Sequence, residues 1–323
     1  MWLLALSTSA LAVSPKIFYG QDEPGWPQVV SLGAGAGEYA ISACSGALIT
    51  PRLVLTAAHC GADFSVEAIV ALGSAYFGPT VSEPDHQLGF SDAFIHPEYV
   101  PLETNSQPWG DQELGEFDVA VFVLDQDAPV APLRFQAAGL DSDFEGQTVT
   151  SVGFGLTEDD ESGIKHSAEL TVDALEEMFL VSYSSTNDDG ANICSGDSGG
   201  PQLFEGPDGP VVVGVHSWGD SLCRSSSGSM RVDLVSDWIR GIVLDTHGSL
   251  DLCLVSERYG DGVCDGDCVA PDPDCFPEEE EGLGCATVPE GPGSGWLTAL
   301  LGVLGASLRR RPSTARGSSP PRP

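Results

Sequence analysis

The sequence predicts an all-β fold closed by one helix, with a small disulfide-rich appendage. Three observations carry this. Residues 17–245 hold many short β-branched and apolar runs broken by Gly, Pro, Asn and Asp, as in 28–32, 45–49, 52–56, 148–153 and 211–216. That punctuation suggests a β-sandwich or a pair of barrels. Val232, Val235, Trp238, Ile239, Ile242 and Val243 then recur at helical spacing. From residue 246 to 276 the composition shifts to Asp and Cys, which sets off a separate module.

The elements follow in order. Residues 2–12 form an apolar run ending in Ala10-Leu11-Ala12, a small-x-small cleavage pattern, so 1–12 reads as an export signal. A buried first strand is the plainer alternative. Cleavage there leaves 13–16 as a short propeptide before the 17–245 domain. After the Cys/Asp module, residues 277–295 read as an acidic, Gly/Pro-rich linker that opens with Glu278 to Glu281. An apolar run at 296–308 ends in Arg309-Arg310-Arg311, and 312–323 is a Ser, Arg and Pro tail expected to be disordered.

Charge and cysteines bound the function. The chain has 13 basic and 48 acidic residues, a net charge of -35, which excludes a nucleic-acid partner because phosphate would be repelled. Of nine cysteines, four lie in the β region (Cys44, Cys60, Cys194, Cys223) and four in the module (Cys253, Cys264, Cys268, Cys275). Even groups argue for disulfides and an oxidising compartment. Cys285 is left over.

Three segments carry chemistry. They are Leu55-Thr56-Ala57-Ala58-His59-Cys60, Phe117-Asp118 with the apolar run to Leu124, and Cys194-Ser195-Gly196-Asp197-Ser198-Gly199-Gly200-Pro201. A serine hydroxyl is a poor nucleophile at neutral pH. It needs an imidazole to take its proton and a buried carboxylate to hold that imidazole in one tautomer. Together these segments resemble the chymotrypsin/trypsin family of serine endopeptidases.

That resemblance implies two six-stranded antiparallel β-barrels with a C-terminal helix packed on the second. It implies a catalytic His59, Asp118 and Ser198, chosen over the nearby Asp111, Glu113 and Glu116. Gly196 and Ser198 N–H would form the oxyanion hole. Disulfides Cys44–Cys60 and Cys194–Cys223 are implied as well. Lys16-Ile17-Phe18-Tyr19-Gly20 resembles an activation junction, with a new Ile17 ammonium pairing with Asp197. Bulky Phe18 and Tyr19 before the first glycine depart from the usual pattern. Ser217 would touch the buried aspartate, and Ser217-Trp218-Gly219 would pair with an extended substrate. Asn192, six before the nucleophile, stands at the expected pocket floor, with Gly219 and Gly228 lining the pocket. A neutral floor removes the main cause of a preference for cations, so cleavage after large uncharged residues is expected.

The implied partners are protein or peptide substrates and an activating protease. No cofactor is required. Asp261, Asp265, Asp267 and Asp274 offer oxygen ligands of the kind calcium takes, although no EF-hand loop is present and a metal-free stapled spacer is the alternative. The module partly resembles LNR-like (Notch-repeat) modules, which carry more cysteines. The tail from Cys285 resembles tripartite bacterial sorting signals of the MYXO-CTERM type. This implies transient membrane anchoring through a transmembrane helix, a sorting protease and a secreted or cell-surface location. The runner-up function is a catalytically silent protease-like module for binding or adhesion.

Overall fold

The computed structural model describes residues 17–101, 116–207, 209–265 and 268–276. The signal, the propeptide, Lys16, Asp111, Glu113, Asp267, Cys285 and the whole tail lie outside them. Strands β1 (Gln21–Asp22), β2 (Val29–Ala34), β3 (Ile41–Thr50) and β4 (Leu53–Thr56) come first. Helix α1 (Val66–Leu72), β5 (Gly73–Phe77), β6 (His86–Ile95) and β7 (Ala120–Leu124) complete the first half. The order β2-β3-β4-β7-β6-β5 closes into a barrel.

The second half contains β8 (Arg134–Phe135), β9 (Thr148–Gly153), β10 (His166–Thr171), β11 (Ala174–Leu175) and β12 (Phe179–Tyr183). It continues with β13 (Pro201–Gly206), β14 (Gly209–Gly219), β15 (Ser226–Arg231), α2 (Ser236–His247) and α3 (Leu252–Val255). Its sheet runs β1-β10-β9-β13-β14-β15-β12-β11, with β8 parallel to β14. The expected second barrel therefore has its six strands but is not closed by hydrogen bonds. At the two ends of the sheet, β1 pairs with the start of β10, and β11 pairs with β12.

Strands β4 and β7 of the first barrel bury both faces. In β4, Val54 joins the barrel interior with Leu48, Phe77 and Leu124, whereas Leu53 and Leu55 pack with second-half residues such as Val152, Leu203 and Met230. In β7, Ala120, Phe122 and Leu124 point inward and Val121 and Val123 point to the seam. Side chains alternate along a strand, so two apolar partners turn an alternating pattern into an unbroken apolar run. That is why the stretch after Asp118 is solidly hydrophobic.

Helix α2 begins later than its spacing suggests. Val232 and Val235 are buried but precede it, and Gly248 in the left-handed region (φ 71°) ends it. It also reaches beyond the second half. His247 Nε2 lies 2.9 Å from Thr50 Oγ1 on β3, and Trp238 meets the His96 ring edge-on at 4.8 Å. The helix thus clamps both halves.

The Cys/Asp module belongs to the same compact unit as the β region, which ends at residue 277. Its disulfides are Cys253–Cys268 and Cys264–Cys275. Arg258 binds Asp265 at 3.0 Å, and Leu252 packs on the seam core. Among the described residues, no helix is long and apolar enough to cross a membrane; the tail segment expected to anchor the chain lies outside them.

Candidate active site

The site forms where the barrel meets the open sheet. β4 ends at Thr56, and a short turn, Ala58–Cys60, presents His59. The Cys44–Cys60 disulfide staples that turn to β3. Asp118 sits just before β7 and is 4% exposed. Phe117 beside it holds a left-handed backbone (φ 50°), and its ring stacks on His96 at 4.7 Å. Stacking offsets a conformation that a bulky residue adopts only at a cost.

Three donors converge on the Asp118 carboxylate. Oδ1 accepts from the His59 backbone N–H at 2.9 Å, Oδ2 meets His59 Nδ1 at 2.8 Å, and Ser217 Oγ–H donates to Oδ2 at 2.6 Å. An imidazole that donates from Nδ1 carries its lone pair on Nε2. Tyr99 is drawn into the same field. Burial, then the charges of Asp118 and Asp63, pushes its phenol up to about 12.

The Ser198 loop is held mainly by its own backbone. Gly196 (φ 94°) and Gly199 (φ 82°) take conformations that other residues rarely adopt. Ser45 on β3 pins the loop at several points. Its N–H donates to Ser198 O at 2.8 Å, its hydroxyl donates to Gly196 O at 2.9 Å, and it accepts from Phe154 N–H at 3.0 Å. His216 N–H donates to Gly200 O at 2.8 Å, and Gly199 N–H donates to His216 O at 2.7 Å. Among the described residues, neither Gly196 N–H nor Ser198 N–H has a protein acceptor. Two free, adjacent donors at a rigid turn suit an incoming oxyanion.

Asp197 is fully buried. Its carboxylate accepts from Cys194 N–H and Gly155 N–H, both at 2.8 Å. Burial nevertheless pushes its pKa up to about 7, since those donors only partly offset lost hydration. The Ile17 segment lies alongside. Asn192 N–H donates to Phe18 O at 3.0 Å, and the Ile17 side chain is buried with Ala191 and Ile193.

A cavity of about 130 Å³ adjoins Ser198, lined by Ile193, Cys194, Trp218, Gly219, Asp220 and Cys223 among others. The Cys194–Cys223 disulfide forms part of its wall. The carboxylate of Asp220 folds this rim by accepting from the N–H groups of Leu222, Arg224, Ser225 and Ser226. Two expected pocket residues lie outside the lining of this cavity. Asn192 does not border the cavity: it is fully buried, its Oδ1 accepts from Ile193 N–H at 3.0 Å, and Ile193 forms the lining instead. Gly228 does not border it either. It pairs with Trp218, a Cβ there would strike the indole, and Ser227 stands opposite Gly219. The bulge between His216 and Trp218 shifts the register by one residue.

Sequence reading missed His216 and Ser45. His216 is fully buried, its Nδ1 faces Asp197 O at 3.1 Å, and burial holds its pKa down to about 4, only partly opposed by that carbonyl. Its Nε2 has no partner among the described residues. Its one sequence signal was its place directly before Ser217.

Among the described residues the one converging His/Cys/acid group is Cys44, His59 and Cys60, whose sulfurs are bonded to each other. In the module, Asp265 pairs with Arg258, while Asp261 and Asp274 accept from Val263 and Gly262 N–H.

A closed barrel joined to an open β-sheet, with this loop and this His–Asp pair at their seam, defines a serine-type peptidase. Comparison agrees: the trypsin family model matches residues 20–239, and the chain belongs to that family. It is 29% identical to lectizyme of Glossina austeni over 62% of this chain and 75% of that protein. It is 28% identical to a trypsin of Saccharopolyspora erythraea over 56% of this chain and 77% of that one. The solved structure of HL collagenase shares the fold, with TM-score 0.53 and 22% identity, covering 67% of this chain and 93% of that chain. The protein is a serine-type endopeptidase.

Proposed function

We propose that this chain is an exported endopeptidase that cleaves through an acyl-enzyme on Ser198 after activation at Ile17. In this mechanism Ser198 Oγ attacks the scissile carbonyl while His59 Nε2 takes its proton. Asp118 holds the Nδ1–H tautomer and stabilises the imidazolium. The oxyanion is received by the N–H groups of Gly196 and Ser198. His59 then protonates the leaving amine, and water hydrolyses the ester. No step needs a cofactor. The single observation that carries this reading is the filled Asp118 carboxylate, with His59 held at two atoms and Ser217 at a third.

A fluorophosphonate probe is the test. It should label the wild type and not Ser198→Ala. An unlabelled but folded and processed wild type would favour a silent binding module.

Activation rests on Asp197. A buried carboxyl without a cation resists ionisation, and an ammonium at Ile17 supplies that cation. N-terminal sequencing of the active species should begin at Ile17. Full activity with residues 13–16 attached would overturn this step. For the residue before the scissile bond we propose large uncharged side chains, because Ile193 and Trp218 line the cavity. A cleavage profile dominated by Arg and Lys would reject that preference. Disulfides at four cysteine pairs fit an oxidising, extracytoplasmic setting.

A further inference from the structure

A cavity of about 460 Å³ lies outside the catalytic machinery and shares no residue with the cavity at Ser198. It opens where the second-half sheet meets the Cys/Asp module. Phe204 on β13 and Val211 on β14 form one wall, and Leu250 and Val269 of the module form another. Leu250 and Val269 are 39% and 78% exposed, so apolar surface is left uncovered at the mouth. A site of this size suits a small molecule, for which roughly 300–1,000 Å³ is usual.

Arg134 on β8 and Arg240 on α2 line the cavity, and Asp251 is its one acidic side chain. The chain as a whole has 48 acidic and 13 basic residues, so two arginines to one acid reverses its balance. Asp251 is already used by the fold. Its Oδ1 accepts from Cys253 and Leu254 N–H, and its Oδ2 accepts from the Tyr259 hydroxyl at 3.0 Å. Asp265 lies 4.0 Å from Arg134 but 3.0 Å from Arg258, so one carboxylate serves two guanidinium groups. The Arg240 guanidinium has no hydrogen-bond or ion-pair partner among the described residues. Gly209, with φ 96°, makes room for the other arginine: a Cβ there would stand 3.2 Å from Arg134 Nη2. Positive charge is thus left in excess beside apolar walls.

We propose that this cavity binds a carboxylate carried on a large apolar body. The carboxylate pairs with Arg134 and Arg240, and the body lies between Val211 and Leu250. Guanidinium groups match a planar carboxylate, and apolar walls give a small hydrated anion nothing in return for its lost water. The ligand would touch β14, α2 and the module together, and so fasten the module to the sheet. Two sources carry this chemistry: a peptide ending in a large uncharged residue, which the proposed cleavage would release, and a fatty acid. Binding itself needs no catalysis.

Calorimetric titration of the full-length Ser198→Ala protein tests this without turnover. The probes are N-acetylphenylalanine, octanoate, the neutral amide of each, and inorganic phosphate. At least one carboxylate should bind at least about tenfold more tightly than its amide and than phosphate. Hydrogen exchange should show ligand protection at residues 134–138 and 250–255. Arg240→Gln, whose guanidinium has no protein partner to lose, and Ala138→Trp, which narrows the mouth, should each weaken binding at least about tenfold. A tighter N-acetylphenylalanine complex supports the proposal with a peptide as the source, and a tighter octanoate complex supports it with a fatty acid. No carboxylate binding, equal binding of acid and amide, or protection confined to residues 193–198 and 217–223 would overturn it. So would an affinity unchanged in both variants. Fluorophosphonate labelling of the wild type judges the catalytic reading separately, whatever the titration gives.

Discussion

The two halves of the molecule treat buried polar groups differently. The first barrel closes on its own hydrogen bonds, and its buried hydroxyls at Ser31, Ser45, Thr50 and Thr56 are all hydrogen-bonded. The second half is an open sheet that buries Ser182, Ser229, Gln202, Asn192, Asp197 and His216. Several of these polar atoms, including Ser229 Oγ, Asn192 Nδ2 and His216 Nε2, have no partner among the described residues. Apolar burial stabilises, whereas an unpaired buried polar group costs roughly 1–3 kcal/mol. The barrel is therefore the rigid member, and it supplies His59 and Asp118. The sheet carries the nucleophile loop on hydrogen bonds and a buried carboxyl, Asp197.

The sharpest way to break this comparison is to remove one catalytic group from each half. Ser198→Ala and His59→Ala should each lower peptide hydrolysis by on the order of 10⁶ in turnover, with thermal stability unchanged. The double variant should be no worse than either single one, because the groups act as a unit. An additive loss, measured by kinetics at matched concentrations of folded protein, would mean that the halves work separately.

Next comes core truncation. Leu48 in β3 is fully buried inside the barrel, so Leu48→Ala should cost about 2–5 kcal/mol in denaturant unfolding. A cost below about 1 kcal/mol would show that the barrel is not the rigid member.

The third effect is pH-dependent. In the chain still carrying residues before Ile17, the Asp197 carboxyl has a folded pKa of about 7 against an ordinary 3.8. The folded state then binds more protons than the unfolded state between those values, so stability falls as pH rises from about 4 to 7. Asp197→Asn should flatten that slope in the unprocessed form, while abolishing the gain in activity on processing. Equal pH profiles of melting temperature for variant and parent would contradict the buried carboxyl. The smallest effect belongs to Ser229→Ala, which deletes an unpartnered hydroxyl and should change stability by no more than about 1 kcal/mol in either direction.

Much of the site was legible because its chemistry is local in sequence. The segments around His59, Asp118 and Ser198 each bring their own support: Cys60 to staple the base, an apolar strand after Asp118, and glycines on both sides of Ser198. Ser45 was not legible, because its three contacts with the Ser198 loop and Phe154 join residues more than 100 positions apart. The strand register beside the cavity was not legible for a similar reason. A bulge between His216 and Trp218 is a property of two strands together, and it moves Gly228 beneath the indole and Ser227 opposite Gly219.

By itself the sequence determined the β class, the family resemblance of the segments around His59, Asp118 and Ser198, the two cysteine groups and the helical spacing near the end of the domain. All of these are written in short-range pattern: strand punctuation, residue type beside a motif, and period. Tertiary structure alone decided that one barrel closes and the other half stays open, because closure depends on pairing between strands far apart in the chain. It also decided that Ile193 rather than Asn192 borders the acyl-side cavity, and that two arginines line a cavity between the sheet and the Cys/Asp module. Those are matters of which surfaces meet in space, and no local pattern in the chain encodes them.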